Sequence, residues 1–270
     1  MRITVLSDNL SIEGLQSEWG LSFLIEHDGK RWLLDTGGSE LFLENAGALG
    51  LDIADVDHAV LSHAHNDHSS GMEAFFKANG KADFLVSSNA AENCWSGKLL
   101  NRHYIGLPHG ILDAFKGRIR RIGAVTEVEH GVWVIPHSAL CSASIARKAH
   151  LYVKAGRRFI PDDFSHEQSL VFETPDGLVI FNSCSHSGAG VVLDEVKAAL
   201  PDRPVLAYFG GLHLFRMSAR EVAAVADMLA GCGIGCIYTG HCTGDRAFGI
   251  LKEKMGGKVV QFRAGMCIEL

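Results

Sequence analysis

At 270 residues, with 47% hydrophobic and 21% charged residues, the chain has the composition of a globular enzyme and enough apolar material for one large α/β domain. A formal net charge of -6 excludes a broad basic field for nucleic acid, and no apolar run reaches membrane-spanning length. Seven scattered cysteines indicate a reducing compartment rather than a disulfide framework, and Met1 to Ser7 reads as a strand rather than a signal peptide; the expectation is a cytoplasmic protein that takes a small-molecule substrate, not nucleic acid or membrane, with its oligomeric state open.

In chain order, residues 2–6, 20–26 and 31–34 read as strands, the last two joined by an Asp-Gly turn at Asp28-Gly29. This hairpin carries Asp35 to a strand end, where it can orient a metal-bound histidine or cap a turn. Ser39 can start a helix with Phe42, Ala46 and Leu49 on one face, and Gly50 can stop it. The apolar run His58 to Leu61 is a short strand that leads into Ser62-His63-Ala64-His65-Asn66-Asp67-His68. His63 and His65 are two apart, so an extended chain points them to one side, while Asp67 and His68 fold back from the following turn. Imidazole mixed with carboxylate suits zinc, iron or manganese better than calcium or magnesium, which prefer oxygen shells.

Residues 83–87 form the next strand, and 89–121 then change in texture, with Trp95, Arg102, His103, Tyr104 and His109. That segment reads as an insertion capping the site or as a plain surface excursion. The basic run Lys116 to Arg121 is a solvated loop or edge strand, or else helps to hold an anion. Strands follow at 132–135, 169–173 and 178–181, the last two closed by a Pro-Asp-Gly turn at 175–177. Thereafter three strand-to-helix junctions in succession place a histidine beside small residues: His186, His213 and His241. Sites in α/β folds form outside the carboxyl ends of strands, so these three converge with the first cluster.

The run His63-Ala64-His65-Asn66-Asp67-His68 resembles the His-x-His-x-Asp-His signature of the metallo-β-lactamase superfamily, and Asp35-Thr36-Gly37 resembles its strand-ending Asp-x-Gly segment. The resemblance spans nearly the whole chain and implies a single domain folded as a four-layer αββα sandwich. The pieces Asp162-Asp163, His166-Glu167-Gln168, Cys184-Ser185-His186, Gly210-Gly211-Leu212-His213 and Gly240-His241-Cys242 look most like the branch that includes archaeal dihydropterin-6-methyl-aminobenzene ribofuranosyl phosphate synthase. The resemblance implies two divalent transition-metal ions, zinc first, with iron or manganese as alternatives. It places His63 and His65 on one ion, with His186 as the chosen third ligand, and Asp67, His68 and His241 on the other. The hydrolase pattern expects that third ligand before the strand at 169–173, where Asp163 or His166 stands, and a bridging aspartate where Cys184 and His186 stand.

Two such ions about 3.5–4 Å apart can share a water, lower its pKa to about 7 and hold a phosphoryl or acyl oxygen. Asp67 would be central to this chemistry, and His213 would be a ligand or the acid that protonates a leaving group. Arg102 would meet an anion, and Trp95 and Tyr104 would stack on a flat ring. The expected activity is a metal-dependent hydrolase, or a lyase or synthase, acting on a small anionic, phosphorylated or pterin-like molecule. The alternatives are a metal-containing ligand-binding or sensing protein without turnover, and a lactone or thioester hydrolase.

Overall fold

The computed structural model describes residues 1–98, 100–137 and 143–270. Two seven-stranded sheets form its centre. The first runs in the order Cys267–Glu269, Arg2–Ser7, Ser22–His27, Lys30–Leu34, His58–Val60, Phe84–Ser87, Ile119–Ile122. The second runs Val259–Gln261, Cys236–Thr239, Val205–Phe209, Gly177–Phe181, Gln168–Thr174, Val132–Pro136, Thr126–Glu129. Each sheet joins an antiparallel set to a parallel one, which starts at Lys30–Leu34 in the first and at Gly177–Phe181 in the second.

The strands are apolar on both faces because both faces are covered. Phe23 and Ile25 point into the space between the sheets while Leu24 points out; Leu170 and Phe172 do the same around Val171. Between the sheets lie Trp32, Phe181, Phe209 and Phe262, all at most 1% exposed. Outside the first sheet, Leu33, Ala59 and Phe84 pack on Phe42 and Ala46 of helix Leu41–Ala48 and on Met72, Phe75 and Phe76 of helix Met72–Ala78. Outside the second, Val171, Ile180 and Ile237 pack on helices Ala189–Ala199, Ala219–Gly231 and Asp245–Met255 through Val192, Val222 and Leu251. Helix, sheet, sheet, helix: four layers result. Among the described residues no helix is long and apolar enough to cross a membrane.

Two elements depart from the sequence reading. The run Lys258 to Phe262 reads as the final strand, but Val259–Gln261 is followed by a further one, Cys267–Glu269, which pairs with Arg2–Ser7 and closes the first sheet's edge. Residues 89–121 do not form one insertion. Ile119–Ile122 is a framework edge strand beside Phe84–Ser87, and Leu107 and Ile111 join the outer core. Only Cys94–Ser96 and His103–Tyr104 stand apart, and they pair with Leu151–Ala155 and Arg158–Pro161 in a separate four-stranded sheet over the site. The basic run serves the framework: Arg118 donates to the carbonyls of Asn79 and Ala82, and Arg121 to those of Ser87 and Ala90.

Candidate metal centre

The carboxyl ends of the parallel strands meet at one edge of the sandwich. The non-glycine residues there with left-handed backbone are Asp35 (φ 61°), Ser185 (φ 48°), His213 (φ 49°) and His241 (φ 47°). Each such residue costs on the order of 1–3 kcal/mol, so surrounding contacts must hold it in place. His63, His65, His68, His186 and His241 are all buried within this edge.

The hydrogen bonds decide what each ring nitrogen carries. Asp35 accepts from Ser62 N and Ser62 Oγ at 2.7 Å each, and its Oδ2 lies 2.8 Å from His68 Nδ1. An ionised carboxylate only accepts, so His68 must donate from Nδ1 and present a lone pair at Nε2. The Ser62 hydroxyl spends its proton on Asp35, so it accepts from His63 Nδ1 at 2.8 Å, which likewise leaves a lone pair on His63 Nε2. At His241, Asn9 Nδ2 donates to the main-chain carbonyl, which turns Asn9 Oδ1 toward the ring; Nδ1 donates to it at 3.0 Å. His241 Nε2 therefore faces Asp67 Oδ2, 3.4 Å away.

These spacings fit a metal. Two ligands of a tetrahedral ion at about 2.0–2.1 Å stand roughly 3.3 Å apart. His63 Nε2 and His186 Nε2 are 3.2 Å apart, close to that value, as is the 3.4 Å between His241 and Asp67. His63, His65 and His186 form one potential ligand group, and His63 and His68 another with Cys184. Buried His65 Nε2 and His241 Nε2 have no hydrogen-bond partner. A cation would satisfy both.

Electrostatics agree. Burial, reinforced by His68 and His65, holds His63 well below the ordinary imidazole value; burial and His213 do the same for His186. Burial alone would raise the Asp67 carboxyl, but His68 and His241 hold it well below the usual range. Burial lowers His65 and His241, yet Asp162 with Cys94, and Asp67 with Cys242, carry them to about 9. The carboxylates beside these two rings, at 3.9 and 3.4 Å, thus favour a positive charge where an ion would sit.

The segment before strand Gln168–Thr174 braces the site, and its Asp162 and His166 stand in a buried group with His65 and Cys94 whose donor atoms lie within 4.8 Å of one another. His166 Nδ1 accepts from Ala64 N at 3.1 Å, so its Nε2 must carry hydrogen, which it directs at Asp162 Oδ2, 3.2 Å away. His166 thus has no lone pair to offer a metal and instead fixes the His63–His65 turn. Glu167 accepts from His186 N (2.8 Å) and Ser187 N (3.1 Å), and Gln168 N donates to Ser62 O at 2.8 Å. Asp163 is exposed and caps its own turn through Ser165 N, outside the cluster.

Arg102 and Tyr104 do not face the site. The Arg102 guanidinium lies between the Tyr152 and Phe159 rings, at 4.5 and 4.6 Å, because the capping sheet brings those strands beside it. Tyr104 donates to Leu107 O and packs against Trp95 and His109. His213 does line the cavity, with its ring 4.3 Å from that of His186 and Nδ1 buried without a partner.

Sequence reasoning missed several members. Trp19 lines the cavity, donates to Asp67 Oδ2 at 2.9 Å and tilts against His241. Asp8 accepts from His241 N at 2.9 Å, and burial raises its carboxyl to about 6. Both sit in or beside the loop that follows Arg2–Ser7, where no periodic pattern marks them. Cys242, unlike these, is marked in the sequence by the Gly240-His241-Cys242 turn, and it lies with its sulfur 3.3 Å from that of Cys184. Burial raises both thiols, but Cys184, His213 and His241 hold Cys242 well below its ordinary value, while Cys242 keeps Cys184 well above.

The cavity over these residues measures about 340 Å³ and is walled by Trp19, Ile105, Leu151 and Phe215. It shares Ser96, His103 and Arg216 with an outer groove also lined by Lys98, Lys148 and His150.

Similarity to known proteins agrees with this geometry. A family model described as the metallo-beta-lactamase superfamily matches residues 20–196. The chain is 26% identical over 276 aligned residues to 7,8-dihydropterin-6-methyl-4-(beta-D-ribofuranosyl)-aminobenzene-5'-phosphate synthase of Methanocaldococcus jannaschii, covering 94% of this chain and 90% of that protein. It is 30% identical over 182 residues to the anti-Pycsar protein Apyc1 of Paenibacillus harenae, covering 63% of this chain and 71% of that one. The solved structure of Tm1679, a metal-dependent hydrolase of the beta-lactamase superfamily, superposes with a TM-score of 0.84 at 29% identity, over 100% of this chain and 99% of that one.

Proposed function

This chain belongs to the metallo-beta-lactamase superfamily, and on that footing we propose that it is a metal-dependent hydrolase of a small anionic substrate. The observation that carries the proposal is the convergence of His63 and His186 Nε2, and of His241 Nε2 and Asp67, at ligand spacing, with His186 and Asp67 lining a cavity. His63, His65 and His186 would hold one divalent transition-metal ion, and Asp67, with His68 Nε2 at 3.9 Å and His241 Nε2 at 3.4 Å from its oxygens, the other, with zinc suited to this mixed donor set. Bound there, such ions supply an activated water and polarise the oxygens of the group being cleaved.

The chain's own residues do the rest. Asp35 and Asn9 fix the tautomers of His68 and His241, and Trp19 fixes Asp67. His213, beside His186 at the cavity wall, is placed to deliver a proton to the leaving group. Trp19 and Phe215 offer aromatic faces to a flat ring, in place of Trp95 and Tyr104. The outer groove supports the anionic assignment. Its charged lining residues are Lys98, Lys148 and Arg216, with His103 and His150 beside them and no carboxylate among its described lining residues. Lys148 is paired with Glu221, which leaves Lys98 and Arg216 as the cations without an ion pair among the described residues. A phosphorylated, pterin-like substrate fits this division, and the name of the Methanocaldococcus relative carries both features. Neither nucleic acid nor membrane is part of the proposal, which places the protein in the cytoplasm.

The test is metal analysis of protein purified without added metal, followed by assays on phosphoesters, lactones and thioesters with wild type, His63→Ala and Asp67→Ala. One to two ions per chain and phosphoester turnover abolished in both variants are expected. Full activity in metal-free protein would overturn the proposal. Metal and ligand binding without turnover would replace the enzyme with a sensor, and turnover of lactones or thioesters alone would replace the substrate class.

A further inference from the structure

Cys184 and Cys242 stand in the cavity wall as free thiols with sulfurs 3.3 Å apart, both at most 2% exposed. The Cys184 sulfur is 3.2 Å from His68 Nε2, the nitrogen whose lone pair Asp35 leaves facing inward. It lies within 4.8 Å of ligand atoms on His63 and His68, on His241 and Cys242, and on His186 and His213. Cys184 therefore reaches the ligands of both metal positions. The Cys242 sulfur depends on Gly211, where a Cβ would stand 2.4 Å from it, so glycine provides the volume that the thiol fills.

Charge argues in the same direction. Two divalent ions bring four positive charges, yet Asp67 is the only carboxylate among the described cavity-lining residues. The neighbouring carboxylates are otherwise engaged: Asp8 accepts from His241 N, Asp35 from Ser62, Asp162 from His166, and Glu167 from His186 N. Thiolate is the ligand form of cysteine, so the two sulfurs would bring the negative charge of the direct ligands from one to three.

We propose that Cys184 and Cys242 are metal ligands, with Cys184 bridging the two positions and Cys242 completing the His241 side. The resulting thiolate edge favours zinc or ferrous iron over magnesium and calcium. This inference rests on the metal-centre reading above, and the experiment separates the two. Protein loaded with cobalt(II), its metal content measured in parallel, should show a thiolate-to-cobalt charge-transfer band in the near ultraviolet. The band should fall by about two thirds in Cys184→Ser and about one third in Cys242→Ser, in line with two and one thiolate–metal contacts, and vanish in the double variant, provided melting shows each to be folded. Zinc-loaded wild type gives a readout that needs no variant: X-ray absorption should find between one and two sulfur neighbours per zinc at about 2.3 Å. Cobalt bound without the band, a band that survives in the double variant, or a zinc shell free of sulfur would each overturn the ligand assignment alone. Failure of wild type to bind any metal would overturn the centre itself.

Discussion

Asp35 never faces the cavity, yet its two oxygens set the proton positions of Ser62, His63 and His68. An amide in its place keeps the size but has a single acceptor oxygen and introduces a donor toward groups that donate. Asp35→Asn should therefore weaken metal binding by about 10- to 100-fold, the usual cost of losing a partner behind a ligand. A chelator-competition titration reads this directly, and unchanged affinity would remove Asp35 from the centre. The same proton logic rules His166 out as a ligand, because Ala64 N already occupies the nitrogen that would have to turn protonated.

Among the elements, the segment from Asp162 to Gln168 is the clamp that aligns two loops of the candidate metal centre. Glu167 holds the His186 loop through two main-chain N–H groups, while Gln168 and His166 hold the His63 loop. Glu167→Ala leaves those N–H groups buried without their acceptor, at about 1–3 kcal/mol each. Denaturant unfolding should show that loss, and metal analysis should show that the His63–His65–His186 position binds more weakly. The capping sheet makes a second element-scale prediction. Arg102→Ala should leave KM for a phosphorylated substrate unchanged, since its guanidinium packs between Tyr152 and Phe159. Arg216→Ala should raise KM several-fold, and the reverse order would mean that the groove does not bind the anion.

For the whole molecule, the buried imidazoles make metal-free stability depend on pH in two opposite ways. His65 and His241 are raised from 6.5 to about 9, so the stability they contribute is complete below pH 6.5 and is lost as pH rises through about 9. His63 and His186 are lowered below 6.5, so the unfolded chain binds protons first and stability falls as pH drops below 6.5. Below pH 6.5 the Tm of the chelator-treated protein should therefore fall, while on the alkaline side the loss from His65 and His241 is opposed by Cys94, lowered to about 7, and by the lowered Cys242. Metal should raise Tm most on the alkaline side, where ions need not displace protons from His65 and His241. A chelator-treated protein whose Tm climbs as pH falls from 6.5 to about 5 would contradict this account.

What the sequence determined by itself is what covalent spacing controls. His63, His65, Asp67 and His68 lie within six residues, so any strand-to-turn geometry brings them together. The apolar strands and the recurrence of His186, His213 and His241 after them announce an α/β framework and the edge that carries the candidate site, because period and strand polarity are local properties. Contacts between distant segments decided the remainder. His166 is disqualified by a hydrogen bond to a residue 102 positions away, and Cys184 meets Cys242 across 58. Arg102 turns from the cavity because Leu151–Ala155 pairs beside Cys94–Ser96, a register that nothing near Arg102 encodes. Trp19, Asp8 and Asn9 lie where irregular chain carries no period, so only the packed structure could bring them to Asp67 and His241. Residue type sets which nitrogen, oxygen or sulfur is available; which of them points inward follows from the donors and acceptors that folding places behind it.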